Sequence, residues 1–306
     1  APFVAASSGD LDLKARDIGL NLALGAYVHL PPNIAGYVGS DHVAVLMATA
    51  AQWSHQHVLA LDVGTNTEIS LIRAEGDITS LSCASGPAFE GYHIHDGTRA
   101  TRGAIERVLI TPEQVYYQTI EEAPASGICG SGILDAVAQL QLADVLNDNG
   151  RIEMDSHPRV RQDGDQPAFL LAGEEGRKEI TVTQGDVREI QLAKAAIQTG
   201  IQVLMVESGI SVQEIGRVII AGAFGSYIDV PNAVAIGMFP PLPPERFQQV
   251  GNAAGMGARL ALLSTKVRSE ARALCSRVNY VELAKYPDFS KVFARSCQLR
   301  PYVQLL

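Results

Sequence analysis

Two hydrophobic rhythms divide the chain. From residue 57 the apolar positions come in short runs that read as strands, 57–63, 67–74 and 78–84, separated by turn residues that include Gly76 and Asp77. That pattern predicts a β-meander. Elsewhere apolar residues recur every three or four positions, as on the buried face of a helix. Residues 10–25 and 41–52 read as helices, the second carrying Asp41 near its N-terminus and following the glycine-punctuated segment 31–40. In 127–146 a Gly/Ser loop opens a helix whose Ile133, Leu134, Val137, Ala138 and Leu140 share one face. A long helix is predicted over 183–208, opening near Thr183 or Asp186. Residues 217–229 begin as a buried strand and break into a glycine-containing turn, and 251–264 start a helix with small residues. The stretch 147–180 is polar, with Gly, Pro and Asp turns, and reads as an inserted surface hairpin region. The last 40 residues alternate helix and short strand. Strands alternating with helices predict an α/β class.

Composition narrows the picture. With 306 residues, 47% hydrophobic and 19% charged, the chain is of ordinary globular type. A net charge of −9 argues against a nucleic-acid surface. No apolar run reaches the roughly 18 residues of a membrane span. The N-terminus lacks the basic, apolar, small-residue succession of a signal peptide. A cytoplasmic protein is therefore expected, and because the sequence starts at Ala1 rather than Met, it reads as part of a longer one. Cys83, Cys129, Cys275 and Cys297 form no C-x-x-C pair and have no His partners at zinc spacing. They read as small hydrophobes in a reducing compartment.

Candidate chemistry sits at two turns. In "LDVGTNTEIS" (61–70) an apolar run stops at Asp62, and Gly64, Thr65, Asn66 and Thr67 follow before the strand pattern resumes. A tight turn exposes backbone N–H groups, which form a concave anion site. The three polar side chains add donors. Asp62 cannot bind a phosphate, but it can hold a hydrated Mg²⁺ that neutralises one. Alone, the motif also fits an exposed hairpin with good turn residues. In "VIIAGAFGS" small residues Gly222, Ala223 and Gly225 follow an apolar strand directly. They let a flat ring or ribose approach the backbone; close strand–helix packing is the plainer alternative.

The order of these pieces, an Asp-led hairpin opening a three-strand meander, helices with a Gly/Ser loop, then a strand ending in small residues, resembles one lobe of the actin-like ATPase superfamily. More narrowly, "LDVGTNTEISL", "ASGPAFEGYHI", "GICGSGILDA", "TQGDVREIQLAKAAI", "AGAFGSYID" and "VGNAAGMGA" resemble the reductive activators of corrinoid proteins. The resemblance implies an actin-like (RNase H-like) ATPase fold, mainly its second lobe, with a mixed sheet and flanking helices. Residues 1–55 would close the first lobe, 56–265 would form the second with an insertion at about 147–180, and 266–306 would be a helical return segment. The implied ligands are ATP and Mg²⁺. The implied partner is a corrinoid protein or corrinoid-dependent methyltransferase, returned from Co(II) to Co(I), and a homodimer is a further expectation. The electron would come from a [2Fe–2S] domain outside this chain, since four scattered cysteines do not supply C-x₄-C-x₂-C.

The resemblance also implies site residues. Asp62 would hold Mg²⁺ through water, and Gly64, Thr65, Asn66 and Thr67 would cradle phosphate. The family usually has Gly where this chain has Thr67, whose side chain would either crowd a phosphate or donate to it. Glu68 would orient an attacking water or face solvent, on the opposite side of the strand from Thr67. Gly222, Ala223, Phe224 and Gly225 would border adenosine, with Phe224 alternatively in the core. Arg188, Gln191 and Lys194 on the long helix would line the adenine pocket or form a solvated face. Glu90 would join a network at the cleft. "GICGSG" either holds an anion at a helix N-terminus or packs tightly. His93 and His95 alternate on a predicted strand, as a polar face or a weak metal pair. A small-molecule kinase and a nucleotide-sensing binding module remain as alternatives on the same fold.

Overall fold

The computed structural model describes residues 7–173, 176 and 178–304. Residues 1–6 and 305–306, at the ends of the first and last expected segments, lie outside the described residues, as do Glu174, Glu175 and Arg177 in the expected insertion. The chain opens with a ribbon of β1 (Leu11–Lys14) and β2 (Tyr27–Leu30), followed by α1 (Ser40–Thr49). The meander is β3 (His57–Asp62), β4 (Asn66–Ile72) and β5 (Ile78–Ala84). The chain then leaves the main sheet. It forms β6 (Ala104–Ile110), β7 (Val115–Thr119), β8 (Gly127–Ile128) and α2 (Gly130–Leu142), then β9 (Val160–Asp163), β10 (Gln166–Ala172) and β11 (Ile180–Thr183). It returns through α3 (Gln184–Ser208), β12 (Ile215–Ala221), α4 (Val230–Ala235), β13 (Phe247–Gly251), α5 (Ala253–Leu263), α6 (Thr265–Cys275), β14 (Val278–Tyr280) and α7 (Phe289–Ser296).

The main sheet is mixed, with strand order β13-β12-β3-β4-β5-β14. The meander is antiparallel, while β12 runs parallel to β3, β13 to β12 and β14 to β5. Both faces are covered, which is why β3 reads as an unbroken apolar run. Leu59 and Leu61 join the large core with Ile69, Leu71, Leu81 and α3, whereas Val58 and Ala60 turn to a smaller core with Leu46 of α1 and Ile219. Helix α3 starts where the sequence predicts: Thr183 and Asp186 form a reciprocal capping box, and Gly209 ends the helix in the left-handed region. The 147–180 stretch contains the β9–β10 hairpin, but Phe169 and Leu171 of β10 are fully buried in the large core.

One expected element is absent. Residues 10–25 form β1 and a short 3-10 turn over Ala15–Ile18, not a helix. Gly19 at φ 78 breaks the turn, and Leu11 pairs across the ribbon with Leu30. The leucines that suggested a helix are largely outside the core, Leu24 being 93% exposed.

The face of the sheet that carries the smaller core depends on a close helix crossing. A Cβ on Gly257 of α5 would lie 2.0 Å from the backbone oxygen of Ala44 in α1, so only glycine permits this approach. His42, fully buried on α1, ties the helix to the sheet through Ser70 (2.7 Å) and thence Ser80 (2.6 Å). Burial pushes its pKa down to about 4, so the ring is neutral in this ladder. Gly257→Ala should cost about 1–3 kcal/mol through forced helix separation. Urea denaturation measures this, and an unchanged midpoint would contradict the crossing as drawn.

Candidate functional site

Two connections converge at one end of the main sheet. The β3–β4 hairpin turns over residues 63–65, and β12 ends beside it with Ala221 paired to Asp62. The Val63 N–H donates to the Ala221 carbonyl at 3.1 Å, and the Gly222 N–H donates to the Gly251 carbonyl at 3.1 Å. Gly222 has φ 94, and a Cβ there would fall 2.5 Å from the Val63 oxygen and 3.1 Å from Asp62 Oδ1. The turn after β12 is thus pressed onto the hairpin by a residue that must be glycine. Gly64 is half-buried, and Thr65 and Asn66 are exposed at the tip.

Alternation along β4 sorts the side chains. Thr67 faces the α3 side, where it is fully buried and its hydroxyl lies 2.5 Å from Ser85 Oγ. It neither crowds the open side of the turn nor offers a donor there, so its place in the phosphate cradle is corrected to a tie beneath it. Glu68 faces the other side, as expected from alternation, opposite Asp62 and within 3.0 Å of the Ser82 hydroxyl, which donates to it. Asp41, in the first turn of α1, comes close enough to act on both acids. Sequence reasoning placed Asp41 at a helix start but missed it as a site residue. Only the folded proximity of α1 to β3 reveals it.

Asp62 and Glu68 share a poorly solvated corner beside the exposed Asp41. Burial, then the Asp41 charge, pushes Asp62 up to about 6. Glu68 is pushed up to about 7, chiefly by burial, with the Ser82 hydrogen bond pulling the other way. Such a corner favours a cation. The acids are not drawn together as direct ligands, however. Among the described residues, Asp10, Asp12 and His29 are the group whose ligating atoms all lie within 4.8 Å, and Arg268 and Arg272 already pair with those aspartates. Asp62 and Glu68 fit a cation held through its water shell.

On the other side of the tip, Thr65 Oγ1 donates to Glu90 Oε1 at 2.6 Å, and the Gly86 N–H donates to the Thr65 carbonyl at 3.0 Å. The "SGPAFEG" loop is thereby fastened to the hairpin. Its Phe89 stacks on Phe224 with ring centroids 4.5 Å apart and planes 11° apart. The pair, with Glu90, Ala223, Gly130 and Arg99, borders a cavity of about 520 Å³. Gly130 settles the reading of "GICGSG". A Cβ there would sit 1.8 Å from the Phe89 oxygen, and one on Gly132 would sit 2.0 Å from the Ile105 oxygen, so these glycines serve tight packing. The start of α2 still reaches the cavity wall through Gly130 and Ser131.

The long helix does not deliver its expected residues to this cavity. Arg188 is exposed. Gln191 donates to the carbonyls of Asn149 and Cys297, and Lys194, 1% exposed, donates to Gln198 Oε1 and the Gln298 carbonyl, both at 2.8 Å. Burial lowers the Lys194 pKa to about 7. Gln191 and Lys194 hold the C-terminal segment to α3, because they lie on the side of the helix that meets that segment. His93 is not on a strand but in a turn at φ 64, and His95 donates its backbone N–H to Asp186. All four cysteines are free, Cys83 and Cys129 buried and the other two half-buried.

Residues 56–304 match the family described as the C-terminal domain of RACo, the ASKHA domain, and residues 1–54 match the RACo middle region. The chain belongs to this family. The corrinoid activation enzyme RamQ of Eubacterium limosum is 37% identical over 305 residues, covering 96% of this chain and 51% of the relative. A Co(II) methylated amine-specific corrinoid protein reductase of Methanosarcina barkeri is 27% identical over 301 residues, covering 90% of this chain and 52% of the relative. A solved reductive activator for corrinoid, iron-sulfur protein superposes with a TM-score of 0.88 at 34% identity, over 98% of this chain and 49% of that one. The chain thus spans about half the length of the curated relatives it matches. The resemblance carried by the motifs and the actin-like fold are both borne out.

The raised carboxyls make a pH prediction for this RACo-family domain. A carboxyl with a raised pKa binds its proton more tightly folded than unfolded. Its contribution is full below the unfolded carboxyl range and is lost as pH rises through about 6 for Asp62 and about 7 for Glu68. Asp62→Asn combined with Glu68→Gln should therefore stabilise the protein at pH 8 and much less at pH 5, by a difference on the order of 2 kcal/mol. Denaturant melts at the two pH values test this, and equal shifts would contradict it.

Proposed function

We propose that this chain is the ATP-binding and ATP-hydrolysing part of a reductive activator that returns a Co(II) corrinoid protein to Co(I). The observation that carries the reading is the meeting of three features at one end of the β3–β12 pair: the Asp62–Glu68 hairpin, the Thr65–Glu90 link and the cavity beside Phe89 and Phe224. Family membership and the named activities of two relatives support it. Donors on Gly64 and Asn66 and the backbone N–H of Thr65, whose hydroxyl is already committed to Glu90, would receive phosphates, and Asp62 would hold Mg²⁺ through water. Phe224, Ala223, Gly222 and Gly225 would border the base. Glu68, with its carboxyl pushed up to about 7, would orient an attacking water and take its proton.

A nucleotide can drive partner activation only by binding two conformations with different affinity. Closure of the lobes on ATP would be that difference. The electron would be delivered by a [2Fe–2S] domain outside this chain. A cytoplasmic location, a corrinoid-protein partner and a homodimer go with this reading. No helix among the described residues is long and apolar enough to cross a membrane.

The test uses the intact protein with a Co(II) corrinoid protein and reductant under anaerobic conditions, following cobalt absorption. Co(I) should appear only with Mg-ATP, and Asp62→Ala should slow its appearance at least roughly tenfold. ATP consumption without any Co(I) would move the reading to a kinase on the same fold.

A further inference from the structure

We propose that a second cavity, where β6 and β7 meet α2 and the start of α4, binds an alkylammonium group, with Asp135 holding the charge and Leu109 and Tyr116 flanking the carbon chain. The cavity has a volume of about 470 Å³, which suits a small ligand. It shares no lining residue with the cavity beside Phe89 and Phe224. Its acid has no structural task. Asp135 lies midway along α2 between the fully buried Leu134 and Ala136, and is itself 1% exposed. It caps nothing, and burying a carboxylate without hydrogen bonds is costly. Oδ1 is sealed and has no hydrogen-bond partner. Asp135 nevertheless borders the cavity, so Oδ2 is the oxygen it presents there. The nearest cation to Oδ2 is Arg107 Nη1 at 3.6 Å, beyond hydrogen-bond reach. That nitrogen donates instead to the Tyr227 carbonyl at 2.9 Å.

Charge and shape select the ligand class. Asp135 and Asp229 line the cavity against the single cation Arg107, so the lining is net negative. Burial, above all, pushes Asp135 up to about 6; the Asp229 charge adds to this, while the Asn232 amide, Arg107 and the Val108 N–H oppose it. A cation entering the cavity relieves that cost. Arg107 disfavours a divalent ion at Oδ2 more than a monovalent one, and the Asp229 carboxylate is engaged in capping α4 through the Asn232 N–H at 2.9 Å. The wall beyond the acids is apolar. Leu109 and Tyr116 are cross-strand partners on the β6–β7 hairpin, each 53% exposed, and both border the cavity. A carbon chain laid along them would bury apolar surface, and a tyrosine ring attracts a nearby ammonium.

The experiment titrates the intact protein with n-butylamine, with uncharged 1-butanol and with a blocked Ala-Lys-Ala tripeptide, following saturation transfer by NMR. At least one of the two amines should bind saturably, and roughly tenfold or more tightly than 1-butanol, the difference expected for a hydrogen bond between charged groups. Binding of n-butylamine alone would identify a free amine as the ligand, and tighter binding of the tripeptide a lysine side chain of a protein. Asp135→Asn should abolish the preference for the amine. Asp229→Asn, which keeps the helix cap, and Tyr116→Ala should each weaken amine binding without touching the buried acid. Binding of neither amine by wild type, or binding no tighter than 1-butanol, would overturn the proposal without needing any variant to fold. So would a preference for the amine that survives in Asp135→Asn. None of these failures would bear on the nucleotide reading, whose cavity has separate walls.

Discussion

The parallel pairing of β12 with β3 is the constraint on which the rest of the site depends. It sets Ala221 level with Asp62, so that two connections far apart in sequence turn at the same edge. The register leaves no room for a side chain at Gly222, whose Cβ would meet the Val63 carbonyl, and the turn is thereby pressed against the hairpin. From that edge the structure spreads to both faces. On one face Thr67 and Ser85 lock the hairpin to the loop that brings Phe89 beneath Phe224. On the other, α1 brings Asp41 towards Asp62 and Glu68, held by the Gly257 crossing and the His42–Ser70–Ser80 ladder.

The two faces differ in chemistry. The α1 side holds two partly buried acids beside the exposed Asp41; burial and that charge raise both carboxyls towards neutrality and favour a hydrated cation. The α2 side gathers aromatic and small residues around a cavity that Glu90 helps to line. A nucleotide that lays its phosphates over the tip and its base in the cavity would satisfy both at once. The cation brought by the ligand would then relieve a cost that the protein bears alone, a crowded acidic corner. That compensation is a physical reason for such a ligand to favour one conformation.

Much of this architecture was legible in the sequence because it rests on local patterns. Short apolar runs between turn residues marked β3, β4 and β5, the Thr183–Asp186 cap marked the start of α3, and the strand-then-glycine pattern marked the turn after β12. What was not legible depended on which face of an element meets which neighbour. Arg188, Gln191 and Lys194 show a helical spacing that looks like a ligand face, yet the last two are consumed by carbonyls of Asn149, Cys297 and Gln298, partners found only after folding. Thr67 looked like a cradle residue until strand parity turned it inward. Residues 10–25 carried enough leucines for a helix, but the glycines and the Leu11–Leu30 pairing made a ribbon. Asp41 gave no signal of its role, because its two companions are reached through the helix crossing.

The most direct measurement is calorimetric titration of Mg-ATP into the intact protein at pH 6 and pH 8, in buffers of different ionisation heat. If the acidic corner receives the cation of the nucleotide, protons held by Asp62 and Glu68 must leave on binding. Proton release should then be plain at pH 6 and nearly gone at pH 8, with tighter binding at the higher pH. Binding that releases no protons at pH 6 and has the same affinity at both values would contradict the account.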